Sequence, residues 1–134
     1  MKTYTELKVR PYECDSYNHV NNAVYQNYLE YARMDMLHQI GFKYKDFYAA
    51  GYFLYVTHVD LYYKVSAVQD DELIIECEMT KTGYISGRIH QIMRKKDGTV
   101  CVEADVDWAC VSAKTLRPCK IPEEFMVDEL RIKK

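Results

Sequence analysis

The sequence predicts an α+β domain in which one long helix is wrapped by a single curved antiparallel sheet. Three observations support this prediction: one run of apolar residues at helical spacing, four later runs of alternating polarity, and a length of 134 residues. A chain of this length fits one domain and buries about two-thirds of its unfolded surface. We therefore interpret residues 1–134 as a single domain whose sheet covers the apolar stripe of the helix.

The first half of the chain predicts a short strand followed by the long helix. The stretch before Pro11 alternates apolar with charged residues, as a half-exposed strand does. Apolar residues then recur at helical spacing between Tyr25 and Ile40. Asn21 or Asn22 is suited to cap the start of this helix, and Gly41 is suited to end it. A short second helix is predicted directly after it.

The second half predicts four strands in antiparallel succession. The runs of alternating or extended character fall at 55–65, 73–80, 85–94 and 100–110. Asp97 and Gly98 separate the last two runs, and an Asp-Gly pair in that position predicts a hairpin. The carboxylates that alternate along 103–107 make one sheet face too polar for a second buried layer, although a wet subunit interface could use it.

Charge and cysteine usage exclude several classes of protein. Eighteen basic residues against 20 acidic ones give a net charge of −2, which argues against a dedicated nucleic-acid binder. Five cysteines form no CxxC pair, so neither a disulfide framework nor a zinc site is indicated. The N-terminus lacks a signal-like apolar run, and no window approaches the ~20 apolar residues of a membrane span. We expect a cytoplasmic protein with reduced thiols.

The segment from Asp15 to Asn22 concentrates the polar chemistry of the chain. It combines a carboxylate, a histidine, three asparagines and the start of the helix within eight residues. The N–H groups at a helix start can receive a polarised carbonyl oxygen, and a nearby carboxylate can attack or activate water. Together, these N–H groups and the carboxylate are the minimum set of catalytic groups for hydrolysing an activated acyl compound.

The same segment resembles a known family of enzymes. Asp15-Ser16-Tyr17-Asn18-His19-Val20-Asn21-Asn22, followed by Tyr28-Leu29-Glu30-Tyr31-Ala32-Arg33, is similar to the motif of hot-dog fold acyl-CoA thioesterases of the 4-hydroxybenzoyl-CoA thioesterase type. Val59–Lys64 and Asp70–Leu73 are similar to the family's second strand and the turn into its third. The resemblance covers nearly the whole chain. It implies a long central helix wrapped by a five-stranded antiparallel sheet, and hydrolysis of an acyl-CoA to free acid and CoA.

The resemblance also implies roles for residues in three segments. Asp15 is the implied catalytic residue, as general base or nucleophile, and backbone amides at the helix start would hold the oxyanion. The implied substrate-binding residues are His19, Asn22, Ala23, Val24, Tyr25 and, from a partner subunit, Tyr55, Val56, Thr57 and His58. The implied CoA-binding residues are Gly83, Tyr84, Ile85, Ser86 and Arg88. No metal or organic cofactor is implied, and the chain would form a homodimer or homotetramer that acts on acyl-CoA or an acyl-carrier protein.

Two positions depart from the family motif. Asn18 stands where the family prefers Gly, but Asn tolerates left-handed backbone better than most residues, so the turn is expected to survive. Glu13 stands where many members carry a first Asp, which leaves Asp15 as the better candidate. Twelve of the 13 tyrosines lie between Tyr4 and Tyr63, in segments that would build the acyl pocket. This distribution predicts tolerance of polar or aromatic acyl groups.

The residues themselves leave other interpretations open. Asp15 could be a turn aspartate, and His19 could be a second base or a structural residue that orients the loop. Asn21 and Asn22 are better explained as caps than as ligands. Cys14 is a poor nucleophile candidate, since no base is evident near it. An acyl-thioester hydratase that pairs His with a carboxylate, or a non-catalytic acyl-binding protein, is an alternative to the thioesterase.

Overall fold

The computed structural model describes residues 2–131 and contains one five-stranded sheet beside one long helix. The elements are β1 (Lys2–Lys8), α1 (Asn22–Gln39), α2 (Tyr44–Ala49), β2 (Tyr52–Tyr63), β3 (Glu72–Thr82), β4 (Ser86–Lys95) and β5 (Val100–Ser112). Single 3₁₀ turns lie at Pro11–Glu13, Glu123–Phe125 and Asp128–Leu130. The predicted α+β class is confirmed. The predicted domain also includes Met1 and residues 132–134, which lie outside the described residues.

The strands are ordered β1-β3-β4-β5-β2, and every neighbouring pair is antiparallel. The prediction of four strands in antiparallel succession is wrong for β2, which pairs with β5 from Tyr52 opposite Ser112 to Tyr63 opposite Val102. A strand has two edges for pairing, and β1 occupies the edge of β3 that β2 would need. As a result β2 becomes an edge strand of the sheet, opposite to β1.

A β-bulge in the middle of β2 changes which side chains face the helix. Val56 lies opposite Trp108, but the next paired residue is His58, so Thr57 is the extra residue. Residues with a two-residue spacing therefore change face at this point. In a regular strand the run 55–65 would place Tyr55, Thr57 and Val59 on one face. The bulge instead puts Tyr55 on the face opposite to Val59.

The helix α1 packs against one face of the sheet, and its ends match the sequence signals. The side chain of Asn21 accepts a hydrogen bond from the Ala23 amide at 3.1 Å, which makes Asn21 the N-cap. The helix ends at Gln39, and Gly41 follows with a φ of +82° that glycine adopts without strain. Its buried residues form most of one wall of the core: Tyr25, Tyr28, Leu29, Ala32, Met36 and Leu37.

The predicted hairpin and the first strand are both present, with differences in detail. Gly98 has a φ of +95°, and Lys95 and Thr99 close the turn between β4 and β5 with a 2.8 Å backbone hydrogen bond. The strand β1 begins earlier than the alternation indicates, because Thr3 and Thr5 are buried in its first half. Because these two buried residues are polar, the alternation of apolar and charged residues does not reach the start of β1, and the sequence predicts a shorter strand.

Candidate active site

Asp15 begins a tight turn directly before α1. Its amide donates to the carbonyl of His19 at 2.8 Å, and Asn18 closes the turn with a φ of +63°. One carboxylate oxygen, Oδ1, accepts hydrogen bonds from the amides of Tyr17 at 2.9 Å and His19 at 3.2 Å. Within residues 2–131 the other oxygen accepts no hydrogen bond from the protein. The turn thus holds an exposed carboxylate in a fixed orientation with one oxygen free.

Asp15 and His19 line a cavity of about 240 Å³ together with the start of α1 and the end of β2. The hydroxyl of Tyr63 donates to the carbonyl of Asn22 at 3.1 Å, which ties β2 to the helix start. Tyr25 lies below, 3% exposed, and its hydroxyl accepts the Ala67 amide at 2.9 Å. The structure therefore brings together four of the residues singled out from the sequence: Asp15, His19, Asn22 and Tyr25.

The first turn of α1 has one amide free for a ligand. The Asn21 side chain takes the Ala23 amide, and the Asn21 carbonyl takes the Val24 amide at 2.9 Å. The amide of Asn22 has no acceptor among the described residues. Because a helix N-terminus carries a partial positive charge, this amide can receive a carbonyl oxygen that becomes negative. Of the four predicted residues at the helix start, Asn22 has the open donor, and Ala23 and Val24 have engaged amides.

The other two predicted segments lie at the opposite end of the sheet. Tyr55 pairs with Ala109 in β5, and Ser86 pairs with the same Ala109 from the other side. Tyr55–His58 and the turn at 83–85 therefore lie at one end, whereas Tyr63 and the Asp15 cavity lie at the other. The structure brings the predicted substrate-binding segment Tyr55–His58 close to the predicted CoA-binding turn. It does not bring either of them to Asp15 of the same chain.

The turn between β3 and β4 opens onto a hollow that contains two basic side chains. Arg88 forms a bidentate ion pair with Asp107, at 2.6 and 3.2 Å, which holds the pKa of Asp107 below its ordinary value. Lys81 lines the same hollow and forms no ion pair with any residue in the range 2–131. The sequence analysis selected Arg88 but missed Lys81. The position of Lys81 at the end of β3, just before the turn, could have indicated that it lies beside Arg88.

A second cleft, of about 250 Å³, lies between α1 and the strands β2, β4 and β5. Its walls are mainly apolar, and Glu30 and Arg33 are its charged residues. The ring of Trp108 forms part of the floor and packs directly on Gly87, where an added Cβ would lie 2.6 Å from a ring carbon. Burial lowers the pKa of Arg33. Sequence reasoning used Arg33 for the family motif but assigned it no role.

Neither metal binding nor a membrane span is indicated by the geometry. Across residues 2–131, no three His, Cys, Asp or Glu side chains are grouped closely enough to hold a metal ion. Among the helices of the same range, none has the length and apolar character needed to cross a bilayer.

Comparison with known proteins identifies the family. A model of the thioesterase-like superfamily matches residues 9–128. The long-chain acyl-CoA thioesterase FadM of Escherichia coli K12 is 31% identical over 122 residues, which cover 90% of this chain and 92% of that protein. The YbaW probable thioesterase from Escherichia coli has a TM-score of 0.76 at 29% identity, covering 91% of this chain and 92% of the other.

A more distant structure has the same fold. The DHNA-CoA thioesterase from Staphylococcus aureus gives a TM-score of 0.85 at 21% identity, over 89% of this chain and 80% of that one. The predicted hot-dog fold is thereby confirmed, whereas the narrower 4-hydroxybenzoyl-CoA type stays a prediction. The similarity to thioesterases favours hydrolysis over hydration or simple acyl binding. The chain belongs to the thioesterase-like superfamily and is a thioester hydrolase with the hot-dog fold.

Proposed function

We propose that this protein hydrolyses acyl-CoA thioesters to free acid and CoA, with Asp15 as the catalytic residue, at a site built by two copies of the chain. The observation that carries this proposal is the pairing of an exposed carboxylate with a free helix-start amide in one cavity. The carboxylate supplies a base or nucleophile, and the amide supplies an oxyanion donor. These are the two groups that thioester hydrolysis requires.

The reaction follows from the positions of these groups. The thioester carbonyl oxygen accepts the Asn22 N–H, and the free Oδ2 of Asp15 faces the carbonyl carbon or a water beside it. As nucleophile, Asp15 forms an acyl-aspartyl anhydride and releases the CoA thiolate, and water then hydrolyses the anhydride. As general base, Asp15 takes a proton from the attacking water, and the thiolate leaves as the tetrahedral intermediate collapses. His19, in the same cavity, can exchange a proton with that water.

The open edge of β2 provides the way to complete this site. A second copy pairing with β2 antiparallel, around a two-fold axis near Val59, places Tyr55 of the partner subunit beside Tyr63. That pairing brings the partner's β3–β4 turn and its basic hollow to the end of the sheet where Asp15 lies. The distal phosphates of CoA then have Lys81 and Arg88 of the partner subunit as cationic neighbours.

The Asp15→Asn variant tests the assigned role. We expect its kcat on a responsive acyl-CoA to fall by at least about a hundredfold with a small change in KM, since the amide is neither base nor nucleophile. Asp70→Asn is the matched control, because Asp70 is also exposed in a left-handed turn. An unchanged kcat in Asp15→Asn contradicts the role of Asp15. A panel of acyl-CoA and acyl-carrier-protein thioesters, assayed first, identifies the acyl group and the carrier.

Isotope labelling separates the two roles of Asp15. In a single turnover in ¹⁸O-labelled water, a general base delivers the label to the product acid. A nucleophile delivers an unlabelled oxygen from its own carboxylate, and Asp15 takes up the label, when water attacks the aspartyl carbon of the anhydride. Attack on the acyl carbon labels the product in both mechanisms, so label on Asp15 is the result that identifies the nucleophile. Mass spectrometry of the product and of the peptide that contains Asp15 distinguishes these outcomes.

A further inference from the structure

Arg33 is a half-buried cation without a carboxylate partner among the described residues. Its side chain lines the α1–sheet cleft, and no Asp or Glu oxygen of the described chain lies within ion-pair distance of it. Burial lowers the pKa of Arg33, and the charge of nearby Glu30 offsets this effect in part. A guanidinium removed from water normally has an anionic partner, because an unpaired buried charge is costly. Among the described residues, Arg33 therefore has no anionic partner to compensate for the loss of hydration.

A buried amide holds the guanidinium in place. Gln91 is fully buried, and its Nε2 donates to the Leu29 carbonyl at 3.0 Å and to the Cys77 sulfur at 3.2 Å. Its Oε1 is thus turned to Arg33 and accepts the Nη1–H group at 3.0 Å. This single bond leaves the other N–H groups of Arg33 without an acceptor in residues 2–131. The arrangement orients a cation beside a cleft instead of closing an internal ion pair.

The rest of the cleft fits an apolar chain. Met34, Leu37, Leu54 and Val56 contribute to its walls, and Trp108 to its floor. Val56 lies at the end of β2 that a partner's Asp15 reaches in the proposed pairing. An acyl chain attached to a thioester at that Asp15 can therefore extend into this cleft, toward Arg33.

We propose that Arg33 is a specificity-determining residue that selects acyl groups carrying a hydrogen-bond acceptor, best a carboxylate, beyond the thioester. The substrate class is then the CoA monothioester of a dicarboxylic or similarly substituted acid. This inference deepens the proposed function and rests on it. The charge-assisted hydrogen bonds that Arg33 offers favour such a group over a methyl terminus.

Matched substrates test the selection. Hexanoyl-CoA is compared with hexanedioyl-CoA, and decanoyl-CoA with decanedioyl-CoA, as ratios of kcat/KM. We expect wild type to favour the carboxylate-bearing member, and Arg33→Met to lower that ratio by about tenfold or more. Arg94→Met, which removes a cation that pairs with Glu76 outside the cleft, is the control and should not lower the ratio. A ratio that is the same in wild type and Arg33→Met overturns the proposal.

Binding to the cleft is measured without catalysis. Trp108 is the single tryptophan of the chain and lies in the floor of the cleft, so its fluorescence reports occupancy. We expect wild type to bind decanoate about tenfold more tightly than decanol, and Arg33→Met to bind the two alike. Arg33→Lys keeps the charge and should retain part of the preference, which guards against a folding defect in Arg33→Met.

The two measurements separate this inference from the proposed function. If no thioester is hydrolysed but decanoate is preferred through Arg33, the proposed function fails and the recognition of a carboxylate stands. If hydrolysis is observed and both decanoate and the dicarboxylic thioesters gain nothing from Arg33, the inference fails and the thioesterase stands. Loss of self-association in Arg33→Met together with equal binding of decanoate and decanol by wild type also overturns it, since a carboxylate of the partner subunit would then be the counter-charge.

Discussion

Glu13 is a buried carboxylate that two neighbours hold in its charged form. Arg10 donates to it from Nε at 3.0 Å and from Nη2 at 2.8 Å, and the Tyr28 hydroxyl donates at 2.9 Å. Burial opposes its ionisation, but these hydrogen bonds outweigh burial and keep the pKa of Glu13 below its ordinary value. Tyr28 is therefore a structural residue, located away from the Asp15 cavity. Its hydroxyl explains why tyrosine, and not phenylalanine, occupies this core position.

Removing that hydroxyl should cost stability. Tyr28→Phe leaves the buried carboxylate with one donor fewer, and we expect the free energy of unfolding to fall by about 1–3 kcal/mol. Urea denaturation measures the change. Tyr31→Phe is the matched control, since Tyr31 lies on the same helix and is 56% exposed, and should change stability little. Equal effects of the two substitutions would contradict the role assigned to the buried hydroxyl.

The pKa of Glu13 also predicts a pH dependence. Because this pKa is lower in the folded protein than its ordinary value of 4.5, Glu13 stabilises the fold above pH 4.5. That contribution disappears as the pH falls through the folded-state pKa. We expect the stability difference between wild type and Glu13→Gln to be largest near neutral pH and to shrink steadily below pH 4.5. The exposed Glu124→Gln control should show a small difference that does not follow this course.

At the scale of elements, the start of α1 serves both the fold and the site. Asn21 satisfies the amides of Ala23 and Val24, whereas the amide of Asn22, a residue that lines the cavity, has no acceptor among the described residues. In the proposed site, the cap therefore leaves the Asn22 amide as the donor for the thioester carbonyl. The bulge at Thr57 has a comparable effect on β2, because it presents Val56 and Val59 to the same face of the sheet.

The two adjacent asparagines should differ in their contribution to stability. Asn21→Ala removes the cap and is expected to lower the free energy of unfolding by about 1 kcal/mol. Asn22→Ala, at an exposed position inside the first turn, should cost less because the side chain makes no cap bond there. Thermal and urea unfolding of both variants gives the comparison. A larger loss of stability in Asn22→Ala than in Asn21→Ala would show that Asn21 is not the residue that caps the helix.

At the scale of the molecule, the separation of Asp15 from Tyr55–His58 predicts complementation between copies. Asp15→Asn disables one half of the proposed site, and Val56→Arg obstructs the other half. When both variants are co-expressed, a mixed dimer has one site with both halves intact. We expect activity of about a quarter of the wild-type value per chain for random pairing. Activity no higher than the mean of the two separate variants would show that each chain carries its own complete site.

The sequence predicts those features that depend on local patterns. The helix ends follow from Asn21 and Gly41, and the Asp15–Asn22 motif locates the cavity. The place of β2 at the sheet edge was not predictable in this way, because strand order depends on which distant strand takes each free edge. The Arg33–Gln91 contact joins residues 58 positions apart. No sequence spacing predicts contact between residues so far apart. The charged side of the cleft could therefore be identified only from the structure.

The packing of Trp108 on Gly87 has a consequence for how this enzyme could change its substrate. The indole can lie low in the sheet because Gly87 has no side chain, and an added methyl group would meet both the ring and the Lys81 carbonyl, the latter at 2.7 Å. Even alanine at this position would push the ring into the cleft that we propose for the acyl group. The absence of a side chain at Gly87 thus sets the depth of the cleft. A single methyl group at this position would make the cleft shallower and so favour shorter acyl chains.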